Sequence, residues 1–120
     1  MAYSTEKCIE TLKIFNFPVF GEDVQKDEIE SNPSFFIFFD KGELSKAESP
    51  NVYNKAAYIS FITVDDTEPP DEFKLIETMQ KCGLIFDRTE IDNGKIANTE
   101  TMANMTTFIM HRSFRMCFNG

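Results

Sequence analysis

One histidine, three cysteines and a run of acids are the residues of this chain best suited to chemistry. Their spacing decides what they can do. His111 is the only histidine. Nucleophilic catalysis needs such a base beside a Ser or Cys, with a third group to orient it. His111 falls inside an alternating segment, where a side chain on a sheet surface is the simpler reading, and the sequence nominates no partner for it. Cys8, Cys82 and Cys117 are far apart and odd in number, with no C-x-x-C pair. Neither a disulfide framework nor a zinc site fits, and the expected state is three half-buried thiols in a reducing cytoplasm. Asp65, Asp66, Glu68, Asp71 and Glu72 crowd together, and carboxylate oxygens can gather a cation. This run lacks the ligand spacing and the glycine of an EF-hand loop. It reads as a solvated turn whose acids lie at a helix N-terminus, where the dipole favours them. No nucleophile elbow, H-E-x-x-H or phosphate-cradling glycine loop is present, and nothing singles out a glycosidase-like carboxylate pair. The expectation is a non-enzyme with no catalytic residue, no metal and no cofactor.

Binding surface remains. The polar stretch Lys41, Glu43, Lys46, Glu48, Asn51, Tyr53, Asn54 and Lys55 mixes both charges with amides and one aromatic side chain. Polar contacts around an aromatic anchor are one way to dock a protein, although a merely solvated loop has the same composition.

The elements that must position these residues follow from periodicity. Ser4 or Thr5 caps a helix running to about Asn16, with Cys8, Ile9, Leu12 and Phe15 on one apolar face. Phe17-Pro18 stops it, because a residue before proline avoids the α region. Val19-Phe20 is a short strand ending at Gly21, and residues 22–32 form an acidic loop. Ser34 to Asp40 carries a continuous apolar run, which suits a strand covered on both faces. Lys41 to Asn54 is a long loop, and Ala56 to Val64 is rich in β-formers. Asp71 caps a second helix from Glu72 to about Cys82, with a buried stripe of Phe73, Ile76 and Met79 and with Leu75 beside them. Gly83 sits where a left-handed cap belongs. Leu84 to Thr89 is a strand, Asp92-Asn93-Gly94 a polar link, and about Met105 to Cys117 the last strand. On it Phe108, Met110, Phe114 and Met116 alternate with Ile109, His111, Ser113 and Arg115. The expected fold is α+β: two helices packed on one face of a four- to five-stranded, mostly antiparallel sheet, in a single domain over 1–120.

Composition narrows the function. The chain has 120 residues, 42% of them hydrophobic, with 13 Phe and no Trp, enough for one core built from phenylalanine. The net charge is −8, from 20 acidic against 12 basic residues. Binding to a phosphate backbone needs clustered Lys and Arg, so sequence-specific nucleic-acid recognition is not expected. The first residues lack the basic and apolar regions of a signal peptide. No apolar run approaches the ~20 residues that span a bilayer. Action inside the cell, away from membranes, is the expectation.

Three segments carry a family likeness. They are Pro33-Ser34-Phe35-Phe36-Ile37-Phe38-Phe39, then Asn51-Val52-Tyr53-Asn54 leading into Lys55-Ala56-Ala57-Tyr58-Ile59-Ser60-Phe61, and the helix Phe73 to Met79 followed by Cys82-Gly83-Leu84-Ile85-Phe86-Asp87-Arg88-Thr89-Glu90-Ile91-Asp92. With the opening helix and Phe17 to Gly21, their order resembles the tail-completion and tail-terminator (head-tail joining) proteins of siphophages infecting Gram-positive bacteria. The link between Asn93 and Asn104 departs from that pattern, with fewer aromatic residues. The resemblance implies an α+β subunit of a ring, commonly a hexamer, at the head-proximal end of the tail. Its partners would be copies of itself, the tail tube protein and the head connector protein. It implies assembly in the host cytoplasm and then a place in the virion. The competing expectation is a small acidic non-catalytic adaptor or inhibitor module that binds a host protein.

Overall fold

The computed structural model describes residues 3–21, 31–64, 67–95 and 102–115. Helix α1 (Thr5–Leu12) starts at Ser4, whose side chain accepts from the Lys7 N–H. It tightens into a 3-10 turn (Lys13–Phe15) and ends at Asn16 in the left-handed region, φ 65°. Strands β1 (Val19–Phe20), β2 (Ser34–Phe39), β3 (Leu44–Lys46) and β4 (Val52–Thr63) follow. Helix α2 (Glu72–Gln80) is capped by Asp71, whose carboxylate accepts from the N–H groups of Phe73 and Lys74. Gly83, at φ 99°, reverses the chain after it, a backbone conformation that costs glycine little. Strands β5 (Ile85–Lys95) and β6 (Met102–Arg115) complete the fold.

The sheet runs β1-β2-β4-β6-β5. Strand β6 pairs with the whole of β4, from Val52 opposite Arg115 to Thr63 opposite Asn104. The other edge of β4 is shared, with β2 along Tyr58–Thr63 and β3 along Tyr53–Lys55. Among the described strands only β1 and β2 are parallel. The α+β class therefore holds, with six strands among the described residues rather than four or five, and a mixed sheet.

Both helices pack on one face. Cys8 and Leu12 of α1, and Leu75 and Met79 of α2, meet Phe36 and Phe38 of β2, Ala57, Ile59 and Phe61 of β4, and Phe108 and Met110 of β6. Strand alternation places those sheet residues together. Aromatic rings fill the middle: Phe36 lies 5.3 Å from Phe61, 6.2 Å from Phe15 and 6.0 Å from Phe17. The opposite face is mixed. Phe35 is buried against Phe20 at 5.7 Å, Phe39 stacks on Tyr58 at 6.2 Å, and the Ser60 and Thr107 hydroxyls share a hydrogen bond of 2.9 Å.

Several expectations need correction. The long loop from Lys41 contains β3, and β4 begins at Val52, four residues before Ala56, because β3 and β6 pair with its polar first half. The polar link at Asp92-Asn93-Gly94 lies inside β5, which stays paired to β6 as far as Lys95 opposite Met102. A strand at the sheet edge, wet on its outer side, does not need the apolar alternation that marks a buried one. Phe73 is 84% exposed rather than in the core stripe, because two residues at ~100° each carry it to the far side of α2 from Leu75; Leu75 and Met79 are the buried pair. Residues 22–30 of the expected acidic loop, Asp65 and Asp66 of the acidic run, and Met116 and Cys117 lie outside the described residues.

Three titratable groups are folded into this core and its margin. Asp40, 7% exposed, accepts hydrogen bonds from the Tyr3 hydroxyl at 2.8 Å and from the Thr5 hydroxyl, tying the chain's start to the end of β2. Burial, reinforced by Cys82 beside it, pushes the Cys8 thiol up to about 12. Burial also raises the Tyr3 phenol, helped by the Asp40 carboxylate that its hydroxyl serves. A pKa raised in the folded state means that the fold holds its proton more tightly than the open chain does. The associated stability is complete below the unfolded thiol value of about 9 and is lost as pH rises through the folded value. The urea midpoint should therefore be flat from pH 7 to 8.5 and fall between pH 9 and 11. Cys8→Ala should flatten part of that fall, and an unchanged alkaline limb would remove Cys8 as its source.

Candidate interaction surface

The polar residues singled out above sit on a β-hairpin. Gly42 N donates to the Ala56 carbonyl at 3.0 Å, and Ala56 N returns a bond to the Glu43 carbonyl at 2.9 Å. This locks the segment after Asp40 against β4. A Cβ on Gly42 would come within 2.7 Å of the Ala56 carbonyl oxygen and 2.8 Å of the Tyr58 ring, so only glycine fits without a shift. At the tip Ala47 N donates to the Val52 carbonyl at 2.9 Å, and Val52 N to the Ser49 carbonyl at 3.3 Å. Pro50 occupies the second position of that turn, and Asn51, at φ 62°, the third. Proline followed by a left-handed residue is what a type II turn requires, and asparagine tolerates that region better than most side chains.

The hairpin splits the predicted residues between two faces and a tip. Register places Lys46 beside Tyr53, and Lys55 between Leu44 and Arg112, all on the face that carries the helices further along the sheet. Tyr53 leans on Phe114, ring centres 6.3 Å apart. Glu43, Ser45 and Asn54 belong to the opposite face, where the Ser113 hydroxyl donates to Asn54 Oδ1 at 2.7 Å. Glu48 and Asn51 are exposed at the tip, and Lys41 is exposed before β3. The structure therefore brings Lys46, Tyr53 and Lys55 together, and does not bring all eight residues onto one surface.

The opposite face holds an arrangement that sequence reasoning missed. A groove of about 310 Å³ runs over Ala56, bordered by Glu43, Asn54, Tyr58, Asp87, Arg88 and His111. Ala56 makes its floor because a methyl group leaves space between Glu43 on one side and His111 on the other. A β-bulge between Phe86 and Arg88 supplies the far wall. The extra residue turns both Asp87 and Arg88 to this face, where strict alternation would send one of them to the other side. His111 Nδ1 lies 2.8 and 2.9 Å from the two Asp87 oxygens, so that nitrogen carries the donated proton. Arg88 is held by Glu90 at 3.1 Å. The histidine without a nominated partner thus has one. A bulge inside a polar edge strand leaves no mark in sequence pattern, which is why Asp87 escaped notice.

The Asp87–His111 pair has no nucleophile hydrogen-bonded to the imidazole among the described residues. Among those residues no three His, Cys, Asp or Glu side chains converge on a metal position. No described helix is long and apolar enough to cross a membrane. No protein-family model and no curated protein matches the chain.

Proposed function

We propose that this chain is a structural virion-assembly protein of a long-tailed phage or prophage, which completes the tail tube and joins the tail to the head as one subunit of a ring. The observation that supports this reading best is the pair of unlike edges on its sheet. One side ends in β5, an 11-residue strand whose outer edge pairs with no strand among the described residues. The other side ends in the two-residue β1 and the three-residue β3. A ring is built from heterologous contacts, in which one surface of a subunit meets a different surface of the next. Two unlike edges on opposite sides of one rigid sheet are suited to that geometry, and the segment order of the sequence points to the same family of assemblies. In this reading the β3–β4 hairpin reaches the tail tube protein or the head connector protein. The chain assembles in the host cytoplasm and remains at the head-proximal end of the tail. An acidic ring wall repels DNA, so the genome passes without adhering.

Electron microscopy of lysates from a phage or prophage with this gene disrupted tests the proposal. Filled heads beside unattached tails are the expected result, and abnormally long tails would add a terminator role. Ordinary joined particles would overturn it. A narrower test is the double charge reversal Lys46→Glu with Lys55→Glu. It should lower the yield of joined particles while leaving the free energy of unfolding within about 1 kcal/mol of wild type, since Lys46 is exposed and Lys55 half-exposed. Normal joining would take the hairpin out of the interface.

The adaptor or inhibitor reading draws support from one feature, the carboxylates of Glu43 and Asp87 that border the groove and suit a basic partner. It requires a monomer at all concentrations that neither rings nor binds tails. Sedimentation across a hundredfold range of concentration separates the two.

A further inference from the structure

We propose that the cleft beside Arg112 is a binding site for an acidic peptide segment of a protein partner, one that presents carboxylates next to an apolar side chain. The inference rests on the assembly reading, in which the β3–β4 hairpin reaches a partner, and it names the chemistry that partner presents. Arg112 carries it. Its guanidinium lies over the Tyr3 ring, 4.3 Å from the ring centre. Its Nε is buried and has no hydrogen-bond acceptor, the one such side-chain atom among the described residues. A buried N–H without an acceptor costs stability, and more so on a charged group. Asp40, the acid held beside Tyr3, is committed to the Tyr3 and Thr5 hydroxyls. Arg112 borders a cavity of about 430 Å³ that Tyr3, Gly83 and Phe114 also line. Directly opposite it on β4 stands Lys55. Like charges facing each other across two strands weaken a sheet. One anion at the guanidinium offsets both costs by supplying the missing counter-charge.

The surroundings say which anion. Register sets two rows side by side on this face, Lys46-Tyr53-Phe114 and Leu44-Lys55-Arg112. Three are cations, three are apolar or aromatic, and none is a carboxylate. None of the three cations has an ion-pair partner among the described residues. In a chain with 20 acidic against 12 basic residues, this is a local excess of positive charge. Neighbouring strands lie about 4.8 Å apart, and residues two apart on a strand about 7 Å, so the rows span a short peptide rather than one small ion. A planar guanidinium takes a carboxylate through two parallel N–H bonds, and stacking on Tyr3 fixes its plane beforehand. The Tyr53 and Phe114 rings, 6.3 Å apart, give an adjacent apolar side chain its seat. A phosphate backbone fits less well, because the net charge of −8 repels it.

The test is a titration of the full chain with a labelled peptide, Gly-Glu-Glu-Phe-Glu-Glu-Phe-Gly, read by fluorescence anisotropy and by the NMR resonance of the Arg112 Nε–H. Saturable binding that weakens as salt is raised, and that moves the Arg112 resonance, is the expected result. Arg112→Gln and Lys55→Gln should each weaken it by about tenfold or more, the worth of one hydrogen bond to a charged group. Glu10→Gln, on the exposed side of α1, should bind as wild type does. Should the Arg112 variant fail to fold, the Lys55 variant and the wild-type resonance decide. Absence of binding, equal binding of the peptide with Gln for Glu, or an unmoved Arg112 resonance overturns the proposal. So does inorganic phosphate or oligothymidylate that binds as tightly as the peptide, or a self-association that the peptide abolishes, which would give the cleft to a second copy. No tail enters this assay, so its failure leaves the gene-disruption result standing, and joined particles after disruption leave the peptide result standing.

Discussion

Replacing Phe36 with alanine should lower the free energy of unfolding by about 3–5 kcal/mol, the cost of a large cavity in a packed core. Phe36 has no exposed surface, and the Phe15, Phe17 and Phe61 rings all lie within 6.2 Å of it. Those rings come from the 3-10 turn, the segment before β1, and β4. No single neighbour can relax into the space without giving up its own contacts, so the cavity stays open. A domain of this size has about 5–15 kcal/mol in total, so the variant should lose about a fifth or more of its stability. Amides of α1 should also exchange faster, because the turn that closes α1 rests on the missing ring. Phe73→Ala is the matched control. The same deletion at an 84% exposed position should change the urea midpoint by no more than about 0.5 kcal/mol. Equal losses at the two positions would mean that α2 is rotated about its axis, with Phe73 turned into the core.

That contrast shows how far periodicity reaches. Both helices, their caps at Ser4 and Asp71, the reversal at Gly83 and the strand of phenylalanines were readable, since each depends on local chemistry or on a strong apolar pattern. Phe73 misled because spacing of three and four is satisfied equally by Phe73-Ile76-Met79 and by the observed Leu75-Met79 pair. Tertiary packing chooses between them, and which side of a helix meets the sheet is not written in a single segment. β3 and the second half of β5 were missed for a related reason. They are edge strands held by backbone pairing to β4 and β6, and neither carries an apolar face that would announce a strand.

The same limit applied to the candidate surface. The charged and amide residues from Lys41 to Lys55 were readable as an exposed stretch, and most of them are exposed. Their partition between two faces was not, because it depends on where β3 begins, and one residue of register exchanges the faces. The Asp87–His111 pair joins positions on neighbouring strands through a bulge, an irregularity that no period encodes.

Gly42 sets that register, and its substitution should have the second large effect. The constraint there is space, not backbone conformation. An added Cβ would meet the Ala56 carbonyl at 2.7 Å, the Tyr58 ring at 2.8 Å and the Ala56 Cβ at 2.9 Å. Two of those atoms belong to the backbone or Cβ of a strand paired on both sides, so β4 cannot yield and the hairpin must. Gly42→Ala should cost about 1–3 kcal/mol, the range for overfilling a packed site, and Gly42→Val should cost more. The damage should be local. Moving the chain at Gly42 breaks its bond to Ala56 and lifts β3 from Tyr53–Lys55, whereas the pairing of β4 with β6 and the Phe36 cluster remain. Hydrogen exchange should therefore show lost protection at residues 44–46 and unchanged protection at Ile59 and Phe108. Glu43→Ala, at an exposed neighbour, should change neither. Under the assembly proposal, a phage carrying Gly42→Val whose well-folded subunit fails to join tails to heads would tie the hairpin's position to assembly. Full protection at residues 44–46 would show that the close approach at Gly42 does not hold the hairpin in place.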